Sequence, residues 1–157
     1  KFPDYQFVIA GAPSQRLAFY KQFINTDISI IENKTYDLLQ HSYAALVVSG
    51  TATLETALFK VPQVVCYKTG WIFYNLAKMV IKTKYISLVN LIMDKETVKE
   101  LIQSELNTEN LFYELTNITK GEHRDKILSD YEDLHQKLGG SGASKRAAEK
   151  IVGYLNK

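Results

Sequence analysis

Short apolar runs and helical patterns alternate through the first half of the chain. Residues 6–10 (QFVIA) read as a strand closed by the turn Gly11-Ala12-Pro13. Ser14 is placed to cap a helix whose apolar positions are Leu17, Phe19, Tyr20 and Phe23. Residues 28–31 form a second strand candidate and residues 35–41 a short helix. Residues 44–48 (AALVV) are apolar almost throughout, which suits a strand covered on both faces. A helix is expected over 51–59, and Lys60-Val61-Pro62 turns the chain into a fourth strand at 63–67. Alternation of this kind predicts right-handed βαβ units and a parallel sheet.

The second half is patterned differently. A helix is expected over 71–82, followed by a short extended or looped stretch at 85–91. Asp94 is a good N-cap for a helix carrying Val98, Leu101 and Ile102 at helical spacing. Leu111, Phe112, Leu115 and Ile118 repeat that spacing, and Ile127, Leu128, Tyr131, Leu134 and Leu138 extend it into a long stripe. Gly139-Gly140-Ser141-Gly142 makes a flexible joint before a last helix with Ala147, Ala148, Ile151 and Leu155. The pattern divides the chain into a Rossmann-like α/β region over 1–91 and a helical segment over 92–157.

Composition narrows the class without choosing a function. Of 157 residues, 46% are hydrophobic and 23% charged, ordinary fractions for a globular domain. The net charge of +2, from 19 basic and 17 acidic residues, is too small to argue for nucleic acid, which would need a basic stripe. The single cysteine, Cys66, sits in an apolar run and reads as a strand residue rather than a nucleophile. No apolar run approaches the ~20 residues needed to cross a bilayer. His41, His123 and His135 are scattered without metal-ligand spacing, so no metal site is expected.

The chemistry concentrates between the third strand and the helix after it, in Val48-Ser49-Gly50-Thr51-Ala52-Thr53-Leu54-Glu55. In an open parallel sheet, ligands sit at the carboxyl ends of the strands. A helix beginning there offers free N–H groups and the positive end of its dipole, which suits a phosphate. Gly50 lets the backbone approach closely, and Ser49 and Thr51 bring hydroxyls. Glu55 lies one turn beyond Thr51 on the same face, within reach of a diol such as a ribose. The plain alternative is a helix cap with Glu55 favouring the dipole. A capping box would put Ser or Thr three residues before Glu55, where Ala52 stands, so that alternative does not explain Glu55. The segment lacks the lysine of a P-loop. Spacing alone leaves a nucleotide site and a structural cap both open.

The run Ser49-Gly50-Thr51-Ala52-Thr53-Leu54-Glu55, followed by Lys60-Val61-Pro62 and the strand at 64–67, resembles the signature of the lipid-A-disaccharide synthases. Ala77-Lys78, Lys82-Thr83, Tyr85-Ile86-Ser87-Leu88, Asn90-Leu91, Val98-Lys99-Glu100-Leu101 and Leu134-His135 match that family in order and approximate spacing. The resemblance implies the C-terminal, donor-binding domain of a GT-B glycosyltransferase, which joins UDP-diacylglucosamine to diacylglucosamine 1-phosphate (lipid X) and releases UDP. It implies no metal and no cofactor, and a location at the cytoplasmic face of the inner membrane. Carried over, Ser49, Gly50 and Thr51 contact the diphosphate, Glu55 holds the ribose, and Asn90 stands near the reaction centre as a catalytic residue. Gly11-Ala12-Pro13 is either a plain turn or a backbone contact for the uracil. The family's acceptor-binding half, with its general base, has no counterpart in these residues. Val89 replaces the family's usual proline, which loosens the loop carrying Asn90. The resemblance also implies a homodimer that exchanges C-terminal segments, consistent with the glycine joint.

Other readings remain to be separated. Another GT-B enzyme using UDP-GlcNAc, a transferase or an epimerase, would share the Ser-Gly turn and the Glu. The epimerases usually carry Asp-Ser-Gly-Gly before that Glu, and Val48-Ser49-Gly50-Thr51 departs from it. A non-catalytic nucleotide-binding or assembly module is the reading from a different class. The expected helix over 71–82 places Trp71, Asn75, Lys78 and Lys82 on one face, which is either a solvated face or a surface for anionic lipid.

Overall fold

A computed structural model describes residues 2–70, 83–140 and 142–155. They form two compact units, residues 1–42 and 43–157. The expected helix over 71–82, with its lysine and tryptophan face, lies outside the described residues.

In the first unit, β1 (Val8–Gly11) pairs in parallel with β2 (Ser29–Glu32), with Val8 opposite Ser29 and Gly11 opposite Glu32. The chain between them forms α1 (Leu17–Lys21), and α2 (Thr35–His41) follows β2. This is the βαβ order that the alternation predicts. The expected cap at Ser14 does not form. The helix starts after Arg16, whose backbone is extended and whose side chain makes no cap bond. The chain at Ala12 is instead closed as a turn: Gln15 N–H donates to the Ala12 carbonyl at 3.0 Å, and the Ala12 N–H donates to Tyr20 Oη at 2.6 Å. Gly11 is buried, and a Cβ there would meet Glu32 Cγ at 3.1 Å, so glycine keeps the two strands close.

The second unit is built on three parallel strands in the order β3 (Ala45–Val48), β4 (Gln63–Tyr67), β5 (Lys99–Ile102). Val64 and Val65 of β4 are both 0% exposed. Neighbouring strand residues face opposite sides, so both faces of β4 are covered. The outer strand β3 departs from the doubly covered strand expected of its apolar sequence: Val47 is buried, but Leu46 and Val48 are exposed. Helix α3 (Thr51–Leu58) packs on β3 and β4, and α5 (Thr108–Thr119) packs on β4 and β5. Helix α6 (Glu122–Lys137) contacts α3, α5 and the short helix α4 (Leu88–Met93). Val61, Val89, Val98, Leu101, Ile118, Ile127 and Leu134 fill the core between them.

Two expectations are corrected here. The stretch at 85–91 is not simply extended, because α4 begins at Leu88 behind an N-cap at Ser87, whose Oγ accepts from Asn90 N–H at 3.3 Å. The helix expected from Asp94 is a strand, β5, preceded by a turn. Asp94 takes the left-handed conformation, φ 54°, ψ 33°, and closes α4 instead of opening a helix. Val98, Leu101 and Ile102 satisfy a helical period, but they serve equally in a short buried strand. The charged residue among them, Glu100, conceals that strand. Its carboxylate is satisfied inside the protein, so it does not mark a solvent face. The α/β part therefore continues past residue 91, to β5. A 3₁₀ turn at Gln103–Glu105 follows.

At the far end, Gly139, Gly140 and Gly142 take positive φ of 75°, 64° and 89°. They lead into α7 (Ala143–Leu155), all of whose residues are exposed, including Ile151, Val152, Tyr154 and Leu155.

Candidate nucleotide site

The parallel strands of the second unit point the same way, so the chain leaves β3 at the carboxyl edge of the sheet, the edge where ligands gather in such folds. Ser49 and Gly50 occupy that exit, and α3 begins at Thr51. Gly50 sits at φ 151°, ψ −163°, a backbone conformation that residues with a Cβ rarely adopt. A Cβ built there meets nothing within 4 Å. Glycine is thus required by the backbone rather than by crowding, and the space beside it is open. Among the described residues no side chain caps α3, and no acidic residue lies in its first turn, which leaves the positive end of the helix uncompensated from within.

The start of α3 is held firmly from beneath. Thr53, fully buried, donates its hydroxyl to the Gly50 carbonyl at 2.8 Å. Gln63, at the head of β4 and also fully buried, donates from Nε2 to the Thr53 carbonyl at 2.8 Å and to Tyr131 Oη of α6 at 3.2 Å. Burial pushes the Tyr131 phenol well above its ordinary pKa, so it stays protonated. The first turn of α3 is therefore anchored to a strand and a second helix. Thr51 and Ala52 remain exposed. Glu55 is half-buried one turn further along, and among the described residues no hydrogen bond or ion pair engages its carboxylate.

Ser49 is half-buried, and its hydroxyl donates to the Ile86 carbonyl at 3.2 Å. Its one proton is thus directed at the protein. The groups this turn presents outward are the N–H groups of the helix start and the Thr51 hydroxyl. The same hydrogen bond joins the turn to the segment carrying Asn90.

Asn90 is fully buried, and its amide is saturated. Nδ2 donates to the Val98 carbonyl and to Glu100 Oε1, both at 2.8 Å. Oδ1 accepts from Thr97 N–H at 2.8 Å and Val98 N–H at 2.9 Å. A primary amide has two donors and room for two acceptor contacts, so none of its capacity is left for a ligand. The geometry makes Asn90 a clip between α4 and the entry to β5. Sequence reasoning missed Gln63, Ser87 and Glu100, which tie this region together. A polar residue inside an apolar strand was the signal, since such a residue must find partners when buried.

Cys66, on β4, is half-buried, and burial raises its pKa, which keeps the thiol protonated and poorly nucleophilic. Among the described residues no group of three His, Cys, Asp or Glu side chains is placed to hold a metal ion. Among them also, no helix is long and apolar enough to cross a membrane.

The class is first that of Rossmann-like α/β proteins with an uncapped helix at the carboxyl edge of a parallel sheet. Comparison of the sequence then gives the family. The profile described as lipid-A-disaccharide synthetase matches residues 1–152, and the chain belongs to that family. It is 38% identical to the lipid-A-disaccharide synthase of Psychromonas ingrahamii, over 99% of this chain and 42% of that protein. It is 36% identical to the synthase of Actinobacillus pleuropneumoniae serotype 5b, again over 99% of this chain and 42% of that protein. The synthase of Anaeromyxobacter sp. strain K is 31% identical, over 98% of this chain and 41% of that protein. The chain thus spans about two fifths of the length of these relatives.

Proposed function

We propose that this chain is the donor-binding part of a glycosyltransferase that joins UDP-diacylglucosamine to lipid X, giving the lipid A disaccharide and UDP. The observation that carries this reading is the Gly50 turn. It is a glycine-dependent, uncapped helix start at the carboxyl edge of a parallel sheet, with an unengaged carboxylate, Glu55, one turn beyond. The N–H groups at the start of α3, approached over Gly50, receive the diphosphate together with the Thr51 hydroxyl. Ser49 lies beside the same group and donates its hydroxyl proton to the Ile86 carbonyl. Glu55 accepts hydrogen bonds from the ribose hydroxyls. Asn90 acts as a positioning residue, since its amide is fully engaged within the protein.

In the reaction a hydroxyl oxygen of the acceptor forms a bond to the anomeric carbon of the donor. The bond from that carbon to the diphosphate breaks, and the electron pair leaves with UDP. The acceptor proton passes to a base supplied from outside these residues. The helix start stabilises the charge that develops on the departing diphosphate, an electrostatic contribution that is larger in the transition state than in the bound substrate. The substrate and product are amphiphilic, which favours work at the cytoplasmic surface of the inner membrane. The exposed helix α7 beyond its glycine joint favours a homodimer with exchanged C-terminal segments.

Titration of UDP and of ADP, each with and without magnesium, tests the reading. UDP is expected to bind more tightly than ADP and equally well without the metal. A preference for ADP, or binding that requires magnesium, counts against it.

A further inference from the structure

Glu100 is a carboxylate inside the sheet, 9% exposed, on β5. Such a group is costly to bury unless its oxygens are hydrogen-bonded. All three bonds that satisfy it come from one short segment. Oε2 accepts from Ile86 N–H at 3.0 Å, and Oε1 accepts from Ser87 N–H at 2.9 Å and from Asn90 Nδ2 at 2.8 Å. Ile86 is therefore gripped at both ends of its backbone: its N–H by Glu100, its carbonyl by the Ser49 hydroxyl. The Ser49 bond, at 3.2 Å, is long for a hydroxyl donor, and it links the turn to the segment that Glu100 holds.

We propose that Glu100 is a positioning residue for the Ser49-Gly50-Thr51 turn, acting through the Ile86 backbone. Glu100 touches no ligand. It fixes Ile86, Ile86 fixes the Ser49 side chain, and Ser49 stands at the entrance to α3. This rests on the reading of that turn as the diphosphate site. The two carboxylate oxygens have separable duties: Oε1 holds Ser87 and Asn90, and Oε2 holds Ile86 alone. Glu100→Gln keeps an oxygen for the first pair and turns an NH₂ group toward the Ile86 N–H, so it strikes the link to Ser49 and spares the clip at Asn90.

The test is a double-mutant cycle on UDP affinity, in the full-length protein that carries this sequence, with E100Q, S49A and the double variant. E100Q is expected to weaken UDP binding about tenfold, within the usual coupling range of residues sharing a hydrogen-bond network. The double variant is expected to bind no worse than S49A, because the effect of Glu100 passes through Ser49. In the absence of UDP, E100Q is expected to shift the amide resonances of Ser49, Gly50 and Thr51. A lowered melting temperature with unchanged UDP affinity, or losses that multiply in the double variant, would overturn the proposal, as would unmoved resonances at 49–51. Failure of the unmodified protein to bind UDP, with those resonances moved by E100Q, would instead sink the diphosphate reading and leave the mechanical link standing. Should E100Q not fold, Glu100→Asp, which withdraws the carboxylate by one methylene, takes its place in the same cycle.

Discussion

Two neighbouring parts of the second unit use their polar residues in opposite ways. In the clip between Ser87 and Glu100, Ser87, Asn90 and Glu100 turn their polar groups inward: Asn90 makes four hydrogen bonds, Glu100 accepts three, and all three residues are buried. From Gly50 to Glu55 the outward groups stay open. Thr51 is exposed, and among the described residues Glu55 has no partner and the helix start no side-chain cap. A polar group already saturated by the protein has nothing left to offer a ligand, whereas one held in place and left unpaired is ready to bind. In the proposed function the first region supports and the second receives, and the Ser49–Ile86 hydrogen bond joins them.

The largest expected effect breaks the supporting side. Asn90→Ala removes the partner of the Val98 N–H and of the Val98 carbonyl in a fully buried place, and takes one of two partners from the Thr97 N–H and from Glu100 Oε1. Each unsatisfied group costs about 1–3 kcal/mol, and partial relaxation brings the expected loss of stability to about 3–4 kcal/mol. Chemical denaturation measures it. A loss below about 1 kcal/mol, with UDP binding abolished, would mean that the amide serves the ligand and not the fold.

A smaller effect, in a different observable, is expected on the receiving side. Glu55→Ala is expected to weaken UDP binding by about 1.5–3 kcal/mol, the range for a hydrogen bond involving a charged group. Stability should move by no more than about 0.5 kcal/mol, as for a surface change with no partner lost. The comparison fails if Glu55→Ala destabilises the protein and leaves UDP affinity alone, because the carboxylate would then belong to the helix.

How far the sequence disclosed this arrangement depends on what kind of residue carries each part. Strands β1 to β4 and the helix starting at Thr51 were legible, because apolar runs alternate there with helical patterns and the Lys60-Val61-Pro62 turn separates two of them. The Gly50 turn was legible as a turn, since a glycine between a strand and a helix supplies a backbone that other residues rarely adopt, while spacing alone left its use open. β5 was not, because Val98, Leu101 and Ile102 fit a helix as well as a strand, and a glutamate among them reads as a solvent position until its partners are known. Asn90 was named as a site residue from the family resemblance, and its surroundings were not legible. Nothing local indicates that its amide closes on residues 97, 98 and 100, and such contacts are decided by how α4 meets β5. Ser14 resembled a cap, but the helix it would cap begins after Arg16.

The claim at the centre of this account is that a uridine diphosphate is held at the start of α3, with its ribose beside Glu55. Mapping UDP-induced changes in amide chemical shift tests it most directly. The account predicts the largest changes at Gly50, Thr51 and Ala52, smaller ones near Glu55 and Ile86, and little change at the buried Thr97 and Val98 amides held by Asn90. Shifts gathered instead around the open groove lined by Met93, Lys95 and Lys137, with residues 50–55 unmoved, would contradict it.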